Sequence, residues 1–316
     1  MKHLNAQQVQ SALNYSTLIP ALKEAFCTDI TVPMRHHHDM ANPNASRETT
    51  LLLMPAWQSG KKAGVKMVTV APDNAQVGLP SIQGIYLLMD LHTGTPEIMM
   101  DAPTLTTNRT AGASALAASY LARKDASHLF VVGTGALSPQ LIRAHHAVSP
   151  ITKVTIWGRS EEKAQSVIEQ VSELGLDCSV ADSIESGVKQ ADIISVATLS
   201  QTPLIKGEWL SAGQHVDLVG AYRPDMREAD DDVIRRSAIF VDSRPGATKE
   251  TGDIRTPLET GVMTLDDIQA DLFELSSDKH SGRHDENQIT LFKSVGHALE
   301  DLAAAKLVAE FYGEEH

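Results

Sequence analysis

The residues of this sequence best suited to chemistry fall into two groups. The first is Gly133-Thr134-Gly135, which follows the apolar, β-branched run 129–132 and opens a segment with helical spacing. Glycine at these places permits a tight turn and lets backbone N–H groups at a helix N-terminus approach a pyrophosphate, whose charge the helix dipole favours. The third place of this fingerprint holds Ser138, small enough for the helix–strand packing served there. Further on, where an NAD-binding unit usually sets a carboxylate on the ribose hydroxyls, stands Gly158, followed by Arg159 and Ser160. With glycine rather than an acid at that place, a guanidinium fork and a hydroxyl suit a 2′-phosphate, so NADPH is the expected cofactor and NADH the alternative. The competing reading makes Arg159 a solvated side chain and Ser160 only the N-cap of the next helix.

The second group is a set of cations, Arg35, Lys66 and Arg109, close to expected strand or helix ends. Lys66 is the most telling, because the strand-like run GVKMVTV embeds an ammonium among apolar residues, where it would be costly without a partner. A strand can also turn such a lysine toward water on its polar face. His36-His37-His38 invites a metal reading, yet consecutive strand residues point to opposite faces and make poor shared ligands, so a surface location is expected. His145-His146, inside the helix after the glycine turn, is read the same way. No Ser-His-Asp order and no zinc-ligand spacing stands out.

Composition limits the partners. Lys+Arg 27 against Asp+Glu 40 gives a formal charge of −13, so the footprint of a nucleic-acid or anionic-membrane binder is absent, and an anionic substrate would need local cations. Cys27 and Cys178 are too few and too far apart for a disulfide framework. The N-terminal MKHLNAQQVQ has no apolar signal core and no apolar run nears the roughly 20 residues of a membrane helix. A cytoplasmic protein is expected.

These residues must be positioned by two kinds of element. Asn5 can cap a first helix, and Leu18, Leu22 and Phe26 share one face of a second. TTLLLMPAW, GVKMVTV and GIYLLMDL, separated by turn signals, read as an antiparallel or mixed sheet. The Ala-rich stretch around Arg109 and Thr110 reads as a close-packed helix that carries the chain out of a first domain near Arg123. From His128 onward, six β-branched strands, HLFVVG, KVTIWG, LDCSVA, DIISVA, HVDLVG and AIFVDS, alternate with helical segments, the rhythm of βαβ units. Leu291, Val295, Leu299 and Leu302 recur at helical spacing in a last helix expected to return to the first domain. The expected architecture is therefore α/β: a Rossmann-type doubly wound parallel sheet over 123–292, plus a discontinuous α+β substrate-binding domain from 1–122 and 293–316.

Across nearly the whole chain, from about Val32 to Ala309, an ordered set of segments resembles the ornithine cyclodeaminase/mu-crystallin family: VPMR, LLLMPAW, GVKMVTV, TTNRTAGASALA, VVGTGALS, WGRS, VGAYRPDMRE, KETGD and LFKSVGHALEDLAAA. The resemblance implies nicotinamide-dependent chemistry, a Rossmann domain, and a substrate domain whose sheet also builds a homodimer. It implies that Arg35 and Lys66 hold a substrate carboxylate, that Arg109 and Thr110 reach that carboxylate and the cofactor phosphates, and that Gly133, Gly135, Ala136 and Leu137 form the phosphate loop. By the same resemblance Thr198 and Ser294 border the nicotinamide half.

Two departures narrow the activity. Cyclising and deaminating ornithine requires acids that handle the amines and activate water. At the places where the cyclodeaminase branch carries them, this chain has Leu52 and Tyr222, while Arg223-Pro224-Asp225 and Arg227-Glu228 are similar to the ketimine reductase branch. The implied reaction is NAD(P)H-dependent reduction of a small cyclic imine carboxylate, Δ1-pyrroline-2-carboxylate to L-proline first and the piperideine homologue to L-pipecolate second, in proline or hydroxyproline catabolism. Lys66 or a bound water would keep the imine nitrogen protonated. The alternatives are an alanine-type amino-acid dehydrogenase or a cyclodeaminase, and, in another class, a non-catalytic NADPH-binding protein.

Overall fold

Asn5 and Gln8 cap the first helix reciprocally: the Asn5 side chain accepts from Gln8 N and the Gln8 side chain from Asn5 N, both at 3.0 Å. The computed structural model describes residues 1–313, divided into two compact units, Met1–Arg109 with the described residues from Ala298 onward, and Thr110–His297. The final residues of the expected 293–316 segment, 314–316, lie outside the described ones.

Unit 1 is a six-stranded mixed sheet. Its strands are β1 (Lys2–Leu4), β2 (His36–Met40), β3 (Thr49–Trp57), β4 (Lys62–Val70), β5 (Ile82–Asp90) and β6 (Pro96–Asp101), in the order β1-β6-β5-β4-β3-β2. Only the β1–β6 pair is parallel; the rest are antiparallel. On β4 the alternation buries Lys66 and Val68 on one face and leaves Val65 and Met67 half-buried on the other. Helices Ala6–Ala12, Tyr15–Phe26 and Ala298–Gly313 belong to this unit, the last packing on β3 and β4. Its alanines let it approach the sheet closely, and it carries Glu300 and Asp301 in its first turn, where the helix dipole favours acids.

Unit 2 is an eight-stranded, wholly parallel sheet: β7 (His128–Val132), β8 (Lys153–Trp157), β9 (Asp177–Val180), β10 (Ile193–Val196), β11 (His215–Leu218), β12 (Ala238–Val241), β13 (Ile268–Asp271) and β14 (Thr290–Lys293), in the order β13-β12-β14-β11-β10-β7-β8-β9. The chain winds outward from β7 through β8 and β9, then returns to β10 on the other side. The strand order therefore reverses between β7 and β10, and a crevice for ligands lies outside the carboxyl ends of strands at such a switch point. Both faces are covered: Phe130, Val132, Val196 and Leu218 pack on one side, and Leu129, Val131, Val154 and Ile156 on the other. Buried Asp217 on β11 accepts from Ser195 Oγ (2.6 Å) and Ser114 Oγ (3.0 Å) and lies 3.3 Å from His145 Nε2, tying flanking helices to the sheet.

Three expectations are corrected. The parallel sheet has eight strands rather than six: β13 is short, with an exposed Gln269, and carried no β-branched signal beyond Ile268. Residues 290–293 form the central strand β14, and the last helix begins only at Ala298. The spacing of Leu291, Val295, Leu299 and Leu302 misled because a strand buried on both faces is a continuous apolar run, which periodicity alone cannot separate from a helix. The division between units falls inside the helix Ala102–Leu121, after Arg109, rather than near Arg123, because Ala118 and Ala122 pack with the parallel sheet's own core.

Candidate active site

Lys66 points from β4 toward the C-terminal helix and is almost wholly buried, so the water-facing alternative does not apply. Its Nζ lies 3.0 and 2.9 Å from the two carboxylate oxygens of Asp301. Arg109 donates from Nε to the same Asp301 at 2.8 Å and from Nη1 to Glu300 at 2.6 Å. One helix thus presents adjacent acids that bind two cations from a strand and from the helix Ala102–Leu121. Burial pushes the Lys66 ammonium down, to about 8, helped by the charges of Arg109 and Arg35 and opposed by Asp301. Arg35 is half-buried just before β2 and acts on Lys66 through this charge. Burial also works against Arg109, but Asp301 and Glu300 outweigh it and hold the guanidinium above its ordinary value. Burial would raise Asp301, yet Arg109 and Lys66 hold it below the usual carboxylate range. Lys66 and Arg109 are thereby matched by the two carboxylates Asp301 and Glu300, and the charge of Arg35 also reaches Lys66.

Sequence reasoning missed Glu300 and Asp301, and with them Tyr86. The signal was available: a charged pair in the otherwise apolar HALEDLAAA is as costly to bury as Lys66 and needs partners of opposite sign. Tyr86, opposite Lys66 in the β4–β5 register, is fully buried with no hydrogen-bond partner for its hydroxyl. Burial first, and then Asp301, pushes that hydroxyl well above its ordinary value. Gly64 makes room for the ring, since a Cβ there would come 1.9 Å from the Tyr86 oxygen. His36, His37 and His38 lie on the exposed edge strand β2, and among the described residues no group of metal-ligating side chains comes together.

In unit 2 the glycine turn follows β7. Gly133 has φ +129°, and a Cβ would meet the Ala197 carbonyl oxygen at 2.5 Å, so glycine is required. Around the Cβ position of Gly135 there is open space, leaving bare backbone that an anion can approach. Ala136 is exposed, Leu137 takes the N-cap place, and no side chain caps the helix Ser138–Val148. Ser138 is buried, and its hydroxyl donates to Gly133 O at 3.0 Å; serine at the third fingerprint place pins the turn. Gly158 follows β8, where a Cβ would lie 2.4 Å from Thr134 Cγ2. Arg159 is exposed and no acid pairs with it among the described residues, while Ser160 Oγ accepts from Lys163 N at 3.3 Å as the helix cap. A constrained turn, bare backbone and an open helix start fit a dinucleotide pyrophosphate.

Thr110 is half-buried at the start of unit 2. Thr198 stands just beyond β10, its N and Oγ1 both donating to Glu228 Oε1, at 2.7 and 2.9 Å. Ser294, just beyond β14, is buried with its hydroxyl 3.3 Å from Asp242 Oδ2.

The profile of the ornithine cyclodeaminase/mu-crystallin family matches residues 2–315. The chain belongs to this family. A Δ1-pyrroline-2-carboxylate reductase of Paracoccus denitrificans is 40% identical over 82% of this chain and 83% of its own. The family fold is closely reproduced: the structure of Thermococcus litoralis Δ1-pyrroline-2-carboxylate reductase in complex with NADH and L-proline superposes with a TM-score of 0.94 at 32% identity, covering 99% of this chain and 98% of that one. An archaeal alanine dehydrogenase dimer with bound NAD gives 0.91 at 29% identity, over 100% and 97%. Leu52 is buried on β3 and Tyr222 half-buried after β11. No helix of the described residues is long and apolar enough to cross a membrane.

Proposed function

We propose that this protein reduces a small cyclic ketimine carboxylate with a nicotinamide cofactor: Δ1-pyrroline-2-carboxylate to L-proline first, and the six-membered homologue to L-pipecolate second. The observation that carries the reading is the buried cluster in which Lys66 and Arg109 are held on the adjacent carboxylates of Asp301 and Glu300, cations of the kind that a small carboxylate substrate needs in an acidic protein. The likeness to a reductase solved with NADH and L-proline supports it, as do Leu52 and Tyr222 in place of acids.

The units have different tasks. In unit 1, Arg35, Lys66 and Arg109 hold the carboxylate, which fixes the rotation of the ring and directs the imine carbon to near-attack geometry. Lys66 is the member of this set that can exchange a proton near neutral pH, so it supports the protonated, electrophilic form of the imine nitrogen. Tyr86, held protonated, lends no negative charge that would compete. In unit 2, Gly133, Gly135, Ala136 and Leu137 offer backbone to the pyrophosphate, and Thr110, Thr198 and Ser294 serve the rest of the dinucleotide. When bound, the reduced nicotinamide supplies the hydride. Gly158, Arg159 and Ser160 favour NADPH, since the place of the usual ribose-binding acid holds glycine and Arg159 offers a guanidinium to a 2′-phosphate.

The protein works as a homodimer in this reading. The face of the unit 1 sheet away from the C-terminal helix carries apolar rows, Leu53, Met67 and Ile85 across β3, β4 and β5, and Val65, Leu87 and Met99 across β4, β5 and β6. An outward sheet face is normally polar, so an apolar one suits a partner's surface. Cys27 and Cys178 are not joined in a disulfide, which suits a reducing compartment such as the cytoplasm.

A second reading, favoured by the likeness to alanine dehydrogenase, is reversible deamination of a small amino acid. Purified protein offered each reduced cofactor with pyrroline carboxylate, piperideine carboxylate, or pyruvate plus ammonia separates the two. Cofactor oxidation with the cyclic imines supports ketimine reduction; oxidation only with pyruvate and ammonia replaces it.

A further inference from the structure

Deep in unit 2, the carboxylate of Glu228 gathers the ends of three neighbouring strands. Its Oε1 accepts from Thr198 N (2.7 Å) and Thr198 Oγ1 (2.9 Å), beyond β10. Its Oε2 accepts from Gly220 N (2.7 Å) and Ala221 N (3.1 Å), beyond β11. Lys293, the last residue of β14, brings Nζ to 3.7 Å from the same oxygen and to 3.1 Å from Asp253 Oδ2. Asp253 in turn accepts from the Glu228 N–H at 2.7 Å. Glu228, Asp253 and Lys293 are all fully buried. A buried carboxylate with four donors and a cation nearby is expensive to assemble, and none of the substrate or cofactor assignments above uses it.

What it fixes lies at the switch point. Gly133 approaches the Ala197 carbonyl so closely that no Cβ fits, and Gly220 approaches Thr198 so closely that a Cβ would fall 2.0 Å from Thr198 O. The phosphate turn, the 197–198 strand end and the 220–221 strand end therefore form one contiguous layer, and Glu228 is the group on which the second and third of these converge.

Resting on the dinucleotide reading above, we infer that Glu228 is a positioning residue: it holds the Thr198 and Gly220–Ala221 strand ends in the arrangement that receives the nicotinamide half of the cofactor, and leaves the adenosine half to the Gly133 turn and Arg159. Lys293 and Asp253 hold Glu228 itself. A carboxylate is suited because both its oxygens accept. A glutamine would keep one acceptor and turn an NH2 toward two further donors, releasing one strand end.

The test compares binding of two probes to the full chain, reduced dinucleotide and ADP-ribose, which lacks the nicotinamide, for wild type, Glu228→Gln and Thr198→Val. Glu228→Gln is expected to weaken the reduced dinucleotide about tenfold, the scale of a charge-assisted hydrogen bond, with ADP-ribose unchanged. Thr198→Val, which removes only the hydroxyl bond to Glu228, is expected to move the same ratio in the same direction by less, and Thr198→Ser to restore it. It carries the test should Glu228→Gln fail to melt cooperatively. Equal weakening of both probes, or no change in either, overturns the inference. Because no imine turnover is read, a wild type that binds dinucleotide but reduces no imine would remove the proposed reaction and leave this test standing.

Discussion

Lys66 Nζ lies within 3.0 Å of both carboxylate oxygens of Asp301, and the same carboxylate takes Arg109 Nε at 2.8 Å, so one buried acid sets the spacing of two cations. Removing it outright strands Lys66 and leaves Arg109 with Glu300 alone. Asp301→Ala is expected to cost about 3–5 kcal/mol of stability, the scale for breaking a buried ion pair. Asp301→Asn keeps the shape and one acceptor; it is expected to fold but to lose roughly tenfold to a hundredfold in kcat/KM. Thermal melting with steady-state kinetics checks both, and an Asp301→Asn enzyme with wild-type kinetics would show that the carboxylate does not tune the cations.

The same pair makes a pH prediction. Lys66 is cationic below about 8 and neutral above, and an anionic ligand needs the cation, so affinity falls as pH rises through that value. Binding of pyrrole-2-carboxylate, a planar analogue with no imine to titrate, is expected to weaken about tenfold per pH unit above 8. Asp301 raises the Lys66 pKa, so in Asp301→Asn the alkaline limb is expected to move to lower pH. A profile flat from neutrality to the onset of alkaline unfolding would remove Lys66 from the anion site.

Arg35 differs from its partners in being half-buried on a segment ahead of an exposed edge strand. Its removal is therefore expected to spare the fold. Arg35→Ala should raise the KM for the imine roughly tenfold or more while shifting the melting temperature little. A lowered melting temperature with an unchanged KM would make Arg35 a structural residue.

Arg159 is exposed, and no acid pairs with it among the described residues. Arg159→Ala is expected to raise the Kd for NADPH about tenfold and leave that for NADH within twofold, because only the former offers a phosphate to the guanidinium. Equal Kd values for the two cofactors in the wild-type protein would instead leave Arg159 solvated and Ser160 only a helix cap.

What was legible in the sequence followed from how strongly each signal depends on local pattern. The glycine turn after β7 and the buried lysine of β4 each break a local rule, one by needing φ beyond the reach of other residues, the other by placing charge in an apolar strand, and both stood out. Lys293 broke the same rule in LFKS but was obscured by the helical spacing that ran through 291–302. Asp301 left a signal, a charged pair in an apolar run, but not its partners Lys66 and Arg109, which lie far away in sequence; Glu228 left none, because it declares itself only through Thr198 and Lys293, equally distant. Ser138 reads in the sequence only as a residue small enough for the third fingerprint place; the position of its hydroxyl against Gly133 O shows that it also reinforces the turn.

The central claim is that hydride from a reduced nicotinamide reaches the imine carbon of a cyclic ketimine carboxylate. Incubating the protein with Δ1-pyrroline-2-carboxylate and cofactor deuterated at C4 of the nicotinamide, on the face transferred, and analysing the product by mass spectrometry tests this most directly. The account predicts L-proline carrying one deuterium at C2. Failure to form proline with either cofactor, or proline without the label, would contradict it.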